Sequence, residues 1–411
     1  MKKIVILGAG IGGLTLASLL DNTKYDIVVY DSKKSKDDLG FLWEDDVNLN
    51  KLKDIGFDFK INNDNESWNI NSPSGDIINF ESDKDEIAPL NRKLLAQELY
   101  KRASKKAIIN FNSNIRIENN FIKTNGKNID DYDLVIDCRG FVNSNQQQTF
   151  NTRRIIIKQK TDQQNRNIFL KPCNINGVAW CNFNEDEIDI LIGEIGTLKN
   201  TSTKNILNFF DEKYNISYNE DEIDQSIYKI PVRYPSLLFF NNKYVILGDM
   251  ANMTVPIIGS GIVNTMEASY ILADLLNNSD ISQSFDSRNN LLWQYQYKYF
   301  QKNGISSSQI DIFKNWLLST KEYNVDYLFK NQIINSNDLK NVMVGDFIDY
   351  DIISLIEKAK KLYSNPKLTV DLANTLLKAI TVKQLIKTMP KNYNDIDINR
   401  WRKSIVKVLK Y

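Results

Sequence analysis

Residues 3–13 read KIVILGAGIGG, an apolar run that breaks into four glycines, and LTLASLLDN follows at helical spacing. Continuous apolarity of this kind belongs to a parallel strand buried on both faces. The turn after it carries Gly8, Gly10 and Gly13, with Gly12 in the same loop. In this GxGxxG spacing the first glycine permits a tight turn, the second lets a pyrophosphate approach the backbone, and the third lets helix and strand pack closely. A second strand, YDIVVYD at 25–31, ends in Asp31, about 20 residues on, where a carboxylate accepts hydrogen bonds from ribose hydroxyls. Strand, glycine turn, helix, strand and terminal acid together predict adenine-dinucleotide binding, with the phosphates at the positive end of the helix.

The chain holds only 17 glycines in 411 residues, yet VILGDMANMTVPIIGSGI at 245–262 contains three of them. The strand KYVIL delivers Gly248 and Asp249 at its carboxyl end, where ligands sit in open α/β sheets. Asp249 is suited to a polyol hydroxyl, and Pro256 stiffens the loop. Gly259 and Gly261 let backbone amides face a flat ring where a helix begins near Ile262. The positive end of that helix would stabilise the charge a flavin acquires on reduction. The expected dinucleotide is therefore non-covalent FAD.

Composition narrows the chemistry. Lys plus Arg (52) and Asp plus Glu (51) nearly cancel, which gives no electrostatic case for nucleic acid. Cys138, Cys173 and Cys181 show no CxxC spacing, so neither a disulfide framework nor a metal site is expected, and a reducing cytoplasm fits. No apolar run reaches membrane-spanning length. The chain has no histidine, which removes Ser-His-Asp and Cys-His nucleophiles and the commonest general base. A cofactor is then expected to carry any chemistry. No catalytic side chain is assigned.

The pattern predicts an α/β protein with a Rossmann-like FAD-binding domain, an inserted, mostly antiparallel β substrate lobe and a helical C-terminal region. Residues 1–60, 88–145 and 243–285 form the first; they include the helical RKLLAQELYKRASKK and the buried-type strand in DYDLVIDCRG. Residues 61–87 and 146–242 form the lobe, where RRIIIKQK, NIFLKP, GVAWCNF and EIDILIGEI read as strands. From 286 to 411 the reading is helical, with breaks at Pro366 and Pro390.

Taken in order, Gly8, Gly10, Gly13, Asp31, the Arg92 of LNRKLLAQEL, and Asp249, Pro256, Gly259, Gly261 and Asn264 resemble the flavoprotein superfamily of geranylgeranyl reductases and aromatic-hydroxylase-type monooxygenases. The resemblance covers roughly residues 1–290 and implies that Arg92 touches the FAD. Hydroxylases carry Ala-Asp-Gly where this chain has Cys138, Arg139 and Gly140, and a histidine where it has Asn252. NGVAWCNFNEDEIDILIGEIG at 176–196 is similar to the strand pair that carries Tyr-x-Trp-x-Phe-Pro in geranylgeranyl reductases, with Trp180 and, one place beyond the motif's Phe, Phe183 as candidate pocket residues. What the resemblance implies is a reductase delivering hydride from reduced flavin to an isoprenoid or lipid C=C bond. NAD(P)H or a ferredoxin-type donor would act as reductant. The alternatives are a monooxygenase of a small or aromatic substrate, a lycopene-cyclase-like flavoprotein (VIDCRG resembles that turn), or a flavin-binding module without turnover. Residues 366–411 carry ten Lys or Arg against three Asp or Glu, interleaved with Leu and Ile, the composition of a helix that contacts an anionic membrane peripherally or of a helical lid with a solvated basic face. Oligomeric state is not legible.

Overall fold

The computed structural model describes residues 1–41, 44–59, 66–82, 87–118, 121–141, 149–162, 165–184, 186–218, 226–281, 284–347 and 352–409. The KIVIL run forms the strand Lys2–Leu7, in which Ile4, Val5, Ile6 and Leu7 are fully buried. It lies between Tyr25–Tyr30 and Leu134–Asp137, both parallel to it. Each such side chain withdrawn from water stabilises the fold by about 1.5–3 kcal/mol. Ile108–Asn110 and Tyr244–Ile246 extend this sheet in parallel, and Phe240–Asn241 adds one antiparallel edge. The helices Ile11–Leu19, Arg92–Ala103 and Ile262–Asn277 belong to the same core. This is a Rossmann-like layer, and its carboxyl edge gathers both glycine clusters.

A seven-stranded sheet forms the second layer, in the order Tyr228–Pro231, Thr149–Ile157, Ile188–Ile195, Gly177–Phe183, Arg166–Leu170, Glu66–Asn71, Ile77–Ser82. All pairs are antiparallel except Arg166–Leu170 with Glu66–Asn71, where two separate segments of the chain meet in parallel. A two-stranded antiparallel ribbon, Glu44–Asn48 with Ile87–Asn91, bears acids that reach this sheet. Two features were not anticipated. The meander Ile115–Glu118, Phe121–Thr124, Lys127–Ile129 covers one side of the parallel sheet. The helix Asn200–Tyr214 lies on the outer face of the seven-stranded sheet, burying Thr203, Ile206, Leu207 and Phe210 at helical spacing.

From Phe285 onward the elements among the described residues are all helices. Pro366 occupies the first turn of Pro366–Lys387, where its missing N–H costs nothing. Leu317, Leu328 and Leu372 of this region pack with Ile70, Leu170 and Val178 of the seven-stranded sheet, so the helices close one end of its inner face. Among the described residues no helix is long and apolar enough to cross a membrane.

Candidate functional site

A cavity of about 500 Å³ separates the carboxyl edge of the parallel sheet from the inner face of the seven-stranded sheet. Its wall brings together Gly8, Gly10, Gly12, Asp31, Arg92, Trp180, Gly248, Asp249, Gly259, Gly261 and Ile262. From Gly8 to Ile262 these residues span more than 250 positions of sequence and come from five different elements and the turns beside them. Gly13, Pro256, Asn264 and Phe183 lie behind the wall or away from it.

The first glycine turn fits a pyrophosphate. Gly8 sits at φ +101°, and a Cβ there would come 2.7 Å from the Cys138 carbonyl oxygen. A Cβ on Gly13 would come 2.0 Å from the Gly8 oxygen, so this glycine serves helix–strand packing. Gly10 differs: a Cβ built on it meets nothing within 4 Å, although the residue is on the cavity wall. Gly10 also caps helix Ile11–Leu19, and no side chain satisfies the first N–H groups. Free amides at the positive end of a helix make an anion site. Asp31 receives the Ala9 amide at 2.6 Å and the Lys33 amide at 2.8 Å, which ties the second strand's end to the glycine turn.

At the second cluster, burial pushes the Asp249 carboxyl above its ordinary value, and the Arg92 guanidinium pulls it partly back. Arg92 opens its helix behind an Asn91 cap that accepts from the Lys93 and Leu94 amides at 3.0 Å. The guanidinium pairs with Asp45 at 3.1 Å and stands over the Phe41 ring at 4.8 Å. Gly261 caps helix Ile262–Asn277 without a side-chain partner for its amides. Gly259 makes the loop's turn at φ +72°, its own N–H donating to the Val255 oxygen at 2.9 Å, and stands on the cavity wall. Pro256 and Asn264 are buried behind the loop. Asn252, where hydroxylases have histidine, takes a left-handed conformation at φ +55° and donates to Ser236 Oγ at 3.2 Å. That conformation favours asparagine.

On the facing sheet, Trp180 lines the cavity, but Phe183 does not. Three residues apart on one strand, they point to opposite faces. Phe183 packs against Tyr214 under the outer helix, ring centres 5.1 Å apart. Burial raises the Cys138 thiol well above its ordinary value, which suits a small buried residue. The charged wall was missed by sequence reading. Arg154 grips Asp189 through Nε at 2.8 Å and through a second, shorter contact, and its guanidinium lies 5.7 Å from the Trp180 ring centre. It also reaches Asp45 at 3.5 Å, while Arg166 faces Asp46 at 3.7 Å. Glu44-Asp45-Asp46 reads in sequence as a solvated charge run; only the ribbon turns it inward.

Residues 6–59 match the family described as an NAD(P)-binding Rossmann-like domain, and residues 193–356 match the squalene epoxidase family. A digeranylgeranylglycerophospholipid reductase of Sulfolobus acidocaldarius is 23% identical over 184 residues, 44% of this chain and 39% of that protein. The match thus spans well under half of the relative's length. The solved structure of a geranylgeranyl bacteriochlorophyll reductase-like protein from Thermoplasma acidophilum aligns with a TM-score of 0.70 at 16% identity, covering 91% of this chain and 100% of that one. A probable FAD-dependent monooxygenase from Pseudomonas aeruginosa gives 0.56 at 14%, covering 80% and 99%. The chain has the fold of the flavoprotein superfamily that joins geranylgeranyl reductases to aromatic-hydroxylase-type monooxygenases.

Proposed function

We propose that the chain binds FAD non-covalently and reduces C=C bonds of an isoprenoid or prenyl-lipid substrate, as geranylgeranyl reductases do. The observation that carries this reading is the apolar end of the cavity. Ile70, Leu170, Val178 and Ile230 of the sheet face Leu339, Val342 and Met343 of the helix Ser336–Met343 there. A hydrocarbon chain gains about 0.8 kcal/mol per CH₂ buried against such a wall.

Bound reduced flavin would supply the hydride, with NAD(P)H or a ferredoxin-type protein as the electron source. The chain's own residues do the rest. The Gly10 turn and the first amides of helix Ile11–Leu19 hold the phosphates, Asp31 the adenosine ribose, and Asp249 the ribityl hydroxyls. The start of helix Ile262–Asn277 favours charge at the ring. Helix Ser336–Met343 keeps water from the apolar end. A prenyl lipid is met at a membrane, and Pro366–Lys387 exposes Val370, Leu377 and Ile380 beside Lys367, Lys378 and Lys387. That face suits an anionic bilayer.

The test is anaerobic reduction of the FAD-loaded protein by dithionite, followed by a geranylgeranylated lipid. Return of the oxidised flavin spectrum with saturated product supports the reading. A spectrum restored by oxygen alone, with the lipid inert, overturns it. The second reading, a monooxygenase, draws on the squalene epoxidase match, whose span includes Leu339, Val342 and Met343. It requires oxygen consumption in step with substrate.

A further inference from the structure

The inner face of the seven-stranded sheet is graded along its strands. Its register sets Thr152, Gly193, Val178 and Leu170 in one row and Arg154, Leu191, Trp180 and Ile168 in the next. Asp189, Asn182 and Arg166 form the third. The cavity therefore runs from an apolar end under the helices to a polar end beside Asp45 and Asp46.

The charges of that polar end are matched to one another. Arg154 holds Asp189, Arg166 faces Asp46, and Arg92 pairs with Asp45. Two neutral groups are not matched. Trp180 Nε1, a donor, and Asn182 Oδ1, an acceptor, are buried without a hydrogen-bond partner among the described residues, and both residues are on the cavity wall. Asn182 is only 5% exposed. Two residues apart on one strand, the pair shares a face. Buried polar groups are almost always bonded, so a donor and an acceptor left over two residues apart on one strand of a cavity wall point to a ligand.

We propose that Trp180 and Asn182 form a subsite for an uncharged hydroxyl at the polar end of the substrate, which makes the substrate a prenyl alcohol or a lipid with a free hydroxyl. A hydroxyl both accepts and donates, and so satisfies Trp180 and Asn182 alike. An ionised phosphate or carboxylate offers acceptors only. It would face the carboxylates of Asp45, Asp46 and Asp189, with the nearby arginines already engaged. Other cations on the wall lie off these rows: Lys33 and Arg139 near Asp31 and Asp137, and Lys229 at the exposed rim. This proposal rests on the isoprenoid reading above.

The experiment measures binding of three probes to the oxidised, FAD-loaded protein by flavin absorbance in one detergent: geranylgeraniol, geranylgeranyl phosphate and a saturated C20 isoprenoid hydrocarbon. The alcohol should bind about tenfold tighter than the other two. Asn182→Leu and Trp180→Phe should each weaken the alcohol by about five- to tenfold and leave the hydrocarbon within about twofold. Tighter binding of the phosphate, or an Asn182→Leu protein that keeps full affinity for the alcohol, overturns the proposal. So does loss of FAD in Asn182→Leu, which would assign the pair to the cofactor. If the alcohol binds with this dependence but is never reduced, the subsite stands and the reductase reading falls. If none of the three binds, both fall.

Discussion

The two walls of the cavity are built by opposite means. On the parallel-sheet side the ligand surface is largely main chain, glycine turns and the open ends of two helices, with Asp31, Arg92 and Asp249 among its charged side chains. On the seven-stranded side it is side chain: Arg154, Trp180, Asn182 and their neighbours, brought into rows by strand register. The first wall tolerates change only where a Cβ has room, and the second only where a charge keeps its partner. Changes on the first wall should therefore act on the nucleotide, and changes on the second on stability and substrate.

The largest effect should come from the charged wall. Arg154→Ala leaves Asp189 buried without its bidentate partner and should cost about 3–5 kcal/mol in urea unfolding. Burial already holds the Asp189 carboxyl above its ordinary value while Arg154 pulls it back. Without the arginine the carboxyl rises further, so the deficit should shrink as the pH falls and Asp189 takes up a proton. An Arg154→Ala protein as stable as its parent would erase the contrast between the walls.

Next come two glycines three residues apart. Gly13→Ala forces a Cβ to within 2.0 Å of the Gly8 oxygen and should lower stability by about 3 kcal/mol, with loss of FAD. Gly10→Ala meets no atom within 4 Å, so its melting temperature should match the parent while FAD affinity drops at least about tenfold. Equal melting temperatures for the two variants would show that the turn is looser than its geometry implies.

Asp249→Asn sharpens the comparison further. With its carboxyl raised by burial, the folded state holds the proton more tightly than the unfolded chain does. Ionisation then costs stability, starting as the pH climbs past the ordinary value of 3.8 and complete above the raised one. The asparagine variant should melt higher than the parent at pH 7, converge with it in acid, and bind FAD more weakly. A lower melting temperature at pH 7 contradicts the burial argument. The smallest effect belongs outside both walls. Lys367→Ala and Lys378→Ala should each weaken binding to anionic vesicles by about 1 kcal/mol and leave neutral vesicles and FAD unaffected. Insensitivity to both substitutions would remove the membrane from the account.

This asymmetry explains what could be read from the chain beforehand. The strand Lys2–Leu7, its glycine turn and Asp31 were legible because their geometry is local: a dozen residues dictate turn, packing and approach. The helix Ile262–Asn277 was legible for the same reason. The second wall was not, because Arg154 acquires meaning only beside Leu191 and Trp180, and Asp45 only once the ribbon has paired. Pairing Trp180 with Phe183 failed on a simpler count, since the two-residue period of a strand separates them. Helix Asn200–Tyr214 did carry a periodic signal, within a segment dominated by strands.

The parallel sheet also sets a timetable for synthesis. Helix Ile11–Leu19 packs against Ile262–Asn277, and Leu134–Asp137 pairs with Tyr244–Ile246, so early-made elements wait for later-made ones. Nearly 250 residues separate the two halves of the nucleotide surface, and the entire seven-stranded sheet is made in between. At about 5–20 residues per second, the first glycine turn waits roughly ten to fifty seconds for its counterpart. If the chain binds FAD as proposed, the nucleotide could meet both halves of its surface only after Ile262 has been made, so its capture would depend on long-range contacts rather than on the first glycine turn alone.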